Sequence, residues 1–367
     1  MTERSAYTLS ASIVLVICLA TATGLGLRET SRIRGPDSVR PAPPRGHDRP
    51  APAEPPRKRT VVAVVDTGLD LSEKRFSQHL WRNPKEEMNG QDDDGNGLID
   101  DLHGWDFVRK TPALTDSHGH GTHVTGLILE RAPDVEILPL TYYAASLDGN
   151  QAMELSLQAL EYAVRANVDI INYSGGGVVP SEREKAILEL AQRKGILVVA
   201  AAGNEATNTD LRHFYPANYG LSNILSVGAV SRDGTSLKSS NFGLASVHFA
   251  ALGERVVSTL PGGRRGEMTG TSQATARVAG LAARLIIEAK LSGGAISPEL
   301  VIDTLSSIAM YDPRLSGRTK LSSRLEDSSL QSQVNSVASS ADSIDELVGL
   351  LRRERAAKRD PAFWVFR

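Results

Sequence analysis

The sequence predicts an α/β domain of three layers, a mainly parallel sheet flanked by helices. Short apolar runs at 61–66, 135–141, 168–173, 196–202 and 223–230 alternate with helix-patterned stretches at 119–130, 151–166 and 181–194. That alternation is the rhythm of strand–helix–strand units. Composition agrees: 41% of the residues are hydrophobic but only 5% aromatic, which suits a core of Val, Ile, Leu and Ala in strands buried on both faces. A chain of 367 residues holds one large domain or two modest ones.

Residues 11–27 (ASIVLVICLATATGLGL) carry no charge, and at the start of a chain such a stretch is a signal peptide or a membrane anchor. Segment 1–27 is therefore expected to make the protein secreted or membrane-anchored, with 11–27 as a tether where it is retained. Ala20-Thr21-Ala22 offers a small-x-small cleavage pattern. Against export, Arg28, Arg32, Arg34 and Arg40 follow the stretch while only Arg4 precedes it. The single cysteine, Cys18, lies inside it, so the remainder can form no intrachain disulfide and needs a large core or a bound metal instead.

Residues 28–59 are dense in Pro and Arg and are expected to be a disordered linker. The globular domain is set at 60–322. Its small-residue stretch 271–290 (TSQATARVAGLAARLIIEAK) predicts a helix packed on all sides, and a further helix near 298–307 closes the domain. Residues 323–367 are assigned to a Ser-rich irregular segment, 323–340, and a C-terminal helical tail, 341–358, with Ile344, Leu347, Leu350 and Leu351 on one face. Lys and Arg total 41 against 43 Asp and Glu, a balance that calls for no nucleic-acid partner.

Three segments carry chemistry. Val61-Val62-Ala63-Val64-Val65-Asp66-Thr67-Gly68 ends a strand on an acid. His118-Gly119-His120-Gly121-Thr122-His123-Val124 offers a base, and Gly270-Thr271-Ser272-Gln273-Ala274 puts a hydroxyl at a helix start. Asp66 at one strand end and Asn204 just past another lie where parallel sheets gather their active groups. Each residue also has a plainer reading. Asp-Thr-Gly and Gly-Asn are turn chemistry, Ser272 is an N-cap serine, and His118, His120 and His123 have spacings that can ligate zinc, although the HExxH pair is absent. Asp, then His, then Ser is one of the known chain orders of the serine triad.

Together, VVAVVDTGLD at 61–70, HGTHVTG at 120–126, INYSGGG at 171–177, VVAAAGNE at 198–205 and GTSQATARVAG at 270–280 resemble the subtilisin-like (subtilase) serine peptidases over about residues 60–310. The resemblance implies a subtilisin-like fold and a serine endopeptidase that hydrolyses polypeptides through an acyl-enzyme. Ser272 would be the nucleophile, His120 the general base and then acid, and Asp66 the group that orients the imidazole. Asn204 would supply a donor to the oxyanion hole. His123 would be a packed structural histidine and His118 exposed. Ser174, Gly175 and Gly176 would form the edge where substrate adds as an extra strand.

Family members often carry a bulkier residue where Gly175 stands, so the far subsite is expected to be more open here. Gln273 and Ala276 depart from the family's hydrophobic residue and proline at those places. No folded inhibitory prodomain is expected, because only 28–59 could fill its position. Two alternatives remain open: a weak or inactive subtilase-fold peptide-binding module, and a transpeptidase working through the same acyl-enzyme.

Between Asp66 and His120, the run Asp92-Asp93-Asp94-Gly95-Asn96-Gly97-Leu98-Ile99-Asp100 matches the first nine positions of an EF-hand-type loop. Asp92, Asp94, Asn96 and Asp100 are the expected ligands of a structural Ca2+. His103 stands where that loop has its bidentate Glu, so further ligands are sought at Asp101 or Asp106. A solvated acidic turn is the plainer reading. Catalysis itself needs no cofactor.

Overall fold

A computed structural model describes residues 59–327. The expected export segment, the linker up to 58 and the C-terminal helix at 341–358 lie outside the described residues. Among the described residues, no helix is long and apolar enough to cross a membrane.

The strands are β1 (Val61–Asp66), β2 (Trp105–Asp106), β3 (Glu136–Thr141), β4 (Ile170–Tyr173), β5 (Leu197–Ala201), β6 (Ile224–Val230), β7 (Phe249–Leu252), β8 (Val256–Leu260), β9 (Arg264–Met268), β10 (Met310–Tyr311) and β11 (Ser323–Leu325). The helices are α1 (Lys74–Gln78), α2 (His120–Arg131), α3 (Gly149–Arg165), α4 (Glu182–Arg193), α5 (Thr271–Leu291) and α6 (Pro298–Ile308). Nine strands form one sheet in the order β10-β11-β7-β6-β5-β4-β1-β3-β2, and β8 and β9 form a separate hairpin. Every pairing in the large sheet is parallel except β10 with β11. The expected three-layer fold is borne out.

β1 shows why the layers form. All six of its residues are buried, and successive side chains point to opposite faces. Val62 and Val64 join the core that includes Val124, Leu127 and Ile128 of α2 and Ala274, Val278 and Leu281 of α5. Val61, Ala63 and Val65 join the opposite core, with Leu157 and Leu160 of α3 and Ile187 and Leu188 of α4. β1 pairs with β3 on one side and β4 on the other, in register Asp66↔Thr141 and Val65↔Tyr173. The strand order therefore reverses beside β1, and such a switch point opens a crevice at the carboxyl ends. Asp66 is the last residue there.

Helix starts follow local chemistry. Asp148 and Gln151 form a reciprocal capping box on α3, Ser181 caps α4, and Ser297 with Pro298 opens α6. The predicted bounds agree with these helices to within about two residues.

The expected irregular segment at 323–340 needs correction. Its first residues form β11, which lies between β7 and β10 and buries Leu325. Asp327 then pairs with Arg131 at 2.7 Å and also with Arg277. The domain thus runs past the boundary set at 322, because a short polar strand can be held by its neighbour's backbone without an apolar run of its own.

Candidate active site

Four elements deliver the candidate residues. β1 ends on Asp66, α2 begins with His120, the turn after β5 carries Asn204, and α5 begins at Thr271 with Ser272 next. His120 Nδ1 lies 2.8 Å from Asp66 Oδ1. Asp66 is buried, and its Oδ1 also accepts from the Thr67 N–H at 2.7 Å. His120 Nε2 is buried and has no hydrogen-bond partner. Ser272 Oγ donates to the Ser174 carbonyl at 3.3 Å. Asn204 Oδ1 accepts from the Thr271 N–H at 2.9 Å, so its acceptor end is fixed and its amide nitrogen is left to donate elsewhere.

Two constraints bring Asp66 and His120 together. A side chain on Gly68 would collide with the Thr115 carbonyl, and one on Gly121 would collide with the Gly68 carbonyl; glycine permits both approaches. Asp116, which the sequence reading did not single out, accepts from the N–H groups of His118 at 3.1 Å, Gly119 at 2.7 Å and Thr122 at 2.9 Å. Its position four residues before His120 is the only sequence signal that could have marked it. Burial pulls the His120 pKa down, but the Asp66 and Asp116 charges outweigh it and leave the imidazole above its ordinary value.

The other histidines separate cleanly. His123 is fully buried, with Nε2 2.9 Å from the Val256 carbonyl. Burial pushes its pKa down to about 4. His118 is exposed. The three do not converge on a common point, because α2 turns His123 into the core.

Ser174, Gly175 and Gly176 follow β4 directly beside Ser272. Gly177 exchanges both backbone hydrogen bonds with Tyr215, at 2.9 and 2.7 Å. Ahead of β2, the acidic loop brings carboxylate oxygens of Glu86, Asp92 and Asp94 within 4.8 Å of one another. Asp100 is not among them; its carboxylate is turned to the N–H groups of Asn89 and Gly90, accepting from both at 2.9 Å. Asn96 Oδ1 accepts from Leu98 N–H and its amide donates to Asp101, at 2.8 and 2.9 Å. Asp106 is paired with Arg109 at 2.7 Å. Glu86 was missed because it lies outside the loop pattern, six residues before Asp92.

A model of the Subtilase family, Peptidase S8, matches residues 57–328. The chain belongs to the subtilase family. That membership places it among the serine peptidases. This subtilase is 31% identical over 267 residues to the Major intracellular serine protease of Bacillus subtilis (strain 168), a match covering 68% of this chain and 76% of the relative. It is 32% identical over 234 residues to Subtilisin NAT of Bacillus subtilis subsp. natto, covering 61% of this chain and 55% of the relative. The chain spans only 19% of Subtilisin-like protease 2 from Plasmodium falciparum, to which it is 30% identical over 268 residues. Among solved structures, a cold adapted subtilisin-like serine proteinase matches with a TM-score of 0.59 and 23% identity, over 74% of this chain and 89% of that one. A lanthipeptide protease matches with a TM-score of 0.58 and 23% identity, over 75% of this chain and 88% of that one. These two likenesses establish the shared fold.

Proposed function

We propose that this subtilase is a serine endopeptidase that cleaves extended polypeptides through Asp66, His120, Ser272 and Asn204. The observation that carries the reading is the 2.8 Å bond between Asp66 and His120, with the far ring nitrogen buried and unpartnered. A buried polar atom without a partner is costly, and here it is aimed at a role in which it accepts a proton. Asp66 holds the tautomer with its proton on Nδ1, leaving Nε2 as the base.

In the proposed cycle, substrate lies along Ser174–Gly176 and the Ser272 hydroxyl turns from the Ser174 carbonyl to His120 Nε2. Catalytic hydrogen bonds of this kind commonly tighten only when substrate is bound. Ser272 Oγ attacks the scissile carbonyl and its proton passes to Nε2. Asp66 and Asp116 stabilise the imidazolium that forms. The carbonyl oxygen gains charge between the Asn204 amide and the Ser272 N–H at the start of α5. On collapse the amine leaves with the proton from Nε2, and the acyl-enzyme is then released to water by the same route in reverse.

A structural Ca2+ is part of this proposal. Hard oxygen donors suit it, and Glu86 Oε2 is buried without a hydrogen-bond partner. Burial, with Asp101 and Asp94 nearby, holds the Glu86 carboxyl above its ordinary value. Glu86, Asp92 and Asp94 would hold the ion, whose charge would relieve that repulsion. A secreted or membrane-anchored location is proposed on the uncharged stretch 11–27 alone.

The test is cleavage of an unfolded fluorogenic protein by the full chain beside Ser272→Ala, with fluorophosphonate labelling of both. Turnover and labelling that vanish in Ser272→Ala support the peptidase. A folded wild type that neither cleaves nor labels supports the peptide-binding module instead. Product joined to an added amine, rather than hydrolysed, supports transpeptidation.

A further inference from the structure

One wall beside the candidate edge is aromatic. Tyr142 and Tyr143 follow β3 with ring centroids 6.3 Å apart. Tyr143 meets His118 at 6.3 Å, and His118 meets His120 at 6.2 Å. On its other side, Tyr142 stands edge-on to Tyr173 at 5.9 Å. The row therefore runs from the candidate base to the glycines that follow β4.

Gly175 is not among the residues with positive φ, so its backbone conformation does not demand glycine. Space demands it. A Cβ on residue 175 would land on the Tyr142 hydroxyl and stand 3.0 Å from Tyr173 Cε2. The subsite that the sequence led us to expect open is thus occupied by a side chain that follows β3, on the far side of β1 from β4.

We propose that Tyr142 is a specificity-determining residue, which fills the volume of the side chain missing at Gly175 and excludes bulky side chains from the subsite facing it. This inference rests on Ser174–Gly176 being the substrate edge. The substrates it selects are extended peptides with Gly, Ala, Ser or Thr at the position opposite Gly175. The Tyr142 phenol, kept neutral by burial, offers a hydrogen-bonding group to the hydroxylated pair. Large aliphatic and aromatic side chains at that position would meet the ring.

The test uses the 367-residue protein and a peptide library varied at each position on the N-terminal side of the cleaved bond. Wild type, Tyr142→Val, Gly175→Ala and the double variant are compared, with fluorophosphonate labelling as the measure of a folded site. Wild type should discriminate against Leu, Phe and Met at one position by about 10-fold or more. Tyr142→Val should erase that discrimination there and nowhere else. Gly175→Ala should lower kcat/KM, and Tyr142→Val should restore it in the double variant. If Tyr142→Val does not label, Tyr142→Phe replaces it with the same expectation at a smaller factor. An unchanged profile in a labelling Tyr142 variant, or a Gly175→Ala defect that the second change does not relieve, overturns the inference while the peptidase reading stands. A wild type that neither cleaves nor labels overturns both.

Discussion

Thr67 Oγ1 donates to Asp116 Oδ1 at 2.9 Å, tying the strand end that carries Asp66 to the turn that leads into His120. The same hydroxyl accepts from the Gly121 N–H at 2.9 Å. A second buried carboxylate thus fixes where the candidate base sits, without touching the ring by a hydrogen bond.

Asp116→Asn tests that arrangement. Asp116 is a positioning residue whose charge helps to raise the His120 pKa. The base works when neutral, so activity rises as pH passes through that pKa. Removing the charge should move the rising limb of kcat/KM to lower pH, as a merely structural role would not. Loosening the first turn of α2 should also lower kcat by roughly 10–100-fold. Both are read from one pH–rate profile.

Asn204→Ala should lower kcat by about 10²–10³-fold, the loss found for the matching donor in subtilisin itself, with KM little changed. The Asn204 acceptor end is held by Thr271 at 2.9 Å, so Asn204→Asp should fail as well, because it keeps that acceptor and loses the donor. Steady-state kinetics on one peptide separates kcat from KM.

Calcium should raise the melting temperature, and a chelator should lower it. At an ion concentration near 100 Kd, the stabilisation is about 2.7 kcal/mol. Glu86→Gln should keep the fold, since it removes the charge that burial opposes, but should lose most of the calcium response. Thermal scans with and without calcium give the answer.

Glu184 is 2% exposed, and burial pushes its carboxyl up to about 7 from an ordinary 4.5. The Tyr219 hydroxyl, donating at 2.7 Å, pulls the other way. A carboxyl raised on folding stabilises fully below its unfolded pKa, and the contribution is lost as pH rises through the folded value. The unfolding free energy of Glu184→Gln should therefore improve relative to wild type between pH 4.5 and about 7, by roughly 3 kcal/mol across the window.

The sheet was legible because β1 and β3 to β6 are apolar along nearly their whole length, as strands covered by helices on both faces must be. β9 (Arg264–Met268) and β11 (Ser323–Leu325) carry no such run, and only their partners make them strands. At the candidate site, Asp66, His120, Asn204 and Ser272 each sit in a short contiguous motif. Asp116 could be found only by its distance from His120, and Glu86 only by folding the acidic loop back on itself. The Tyr142–Gly175 relation was misread because it is a side chain replaced by another that follows a different strand, which no spacing along the chain records.

Asp327 stands between the guanidinium groups of Arg131, at the far end of α2, and Arg277, one turn beyond Ser272 in α5. Those side chains are only 7% and 15% exposed, so water screens their mutual repulsion poorly. A chain shortened before this carboxylate would set two cations against each other across the seam between the helices that start at His120 and Thr271. Trimming the molecule at a carboxylate 55 residues along the chain from Ser272 would thus load the seam between the two helices that carry His120 and Ser272.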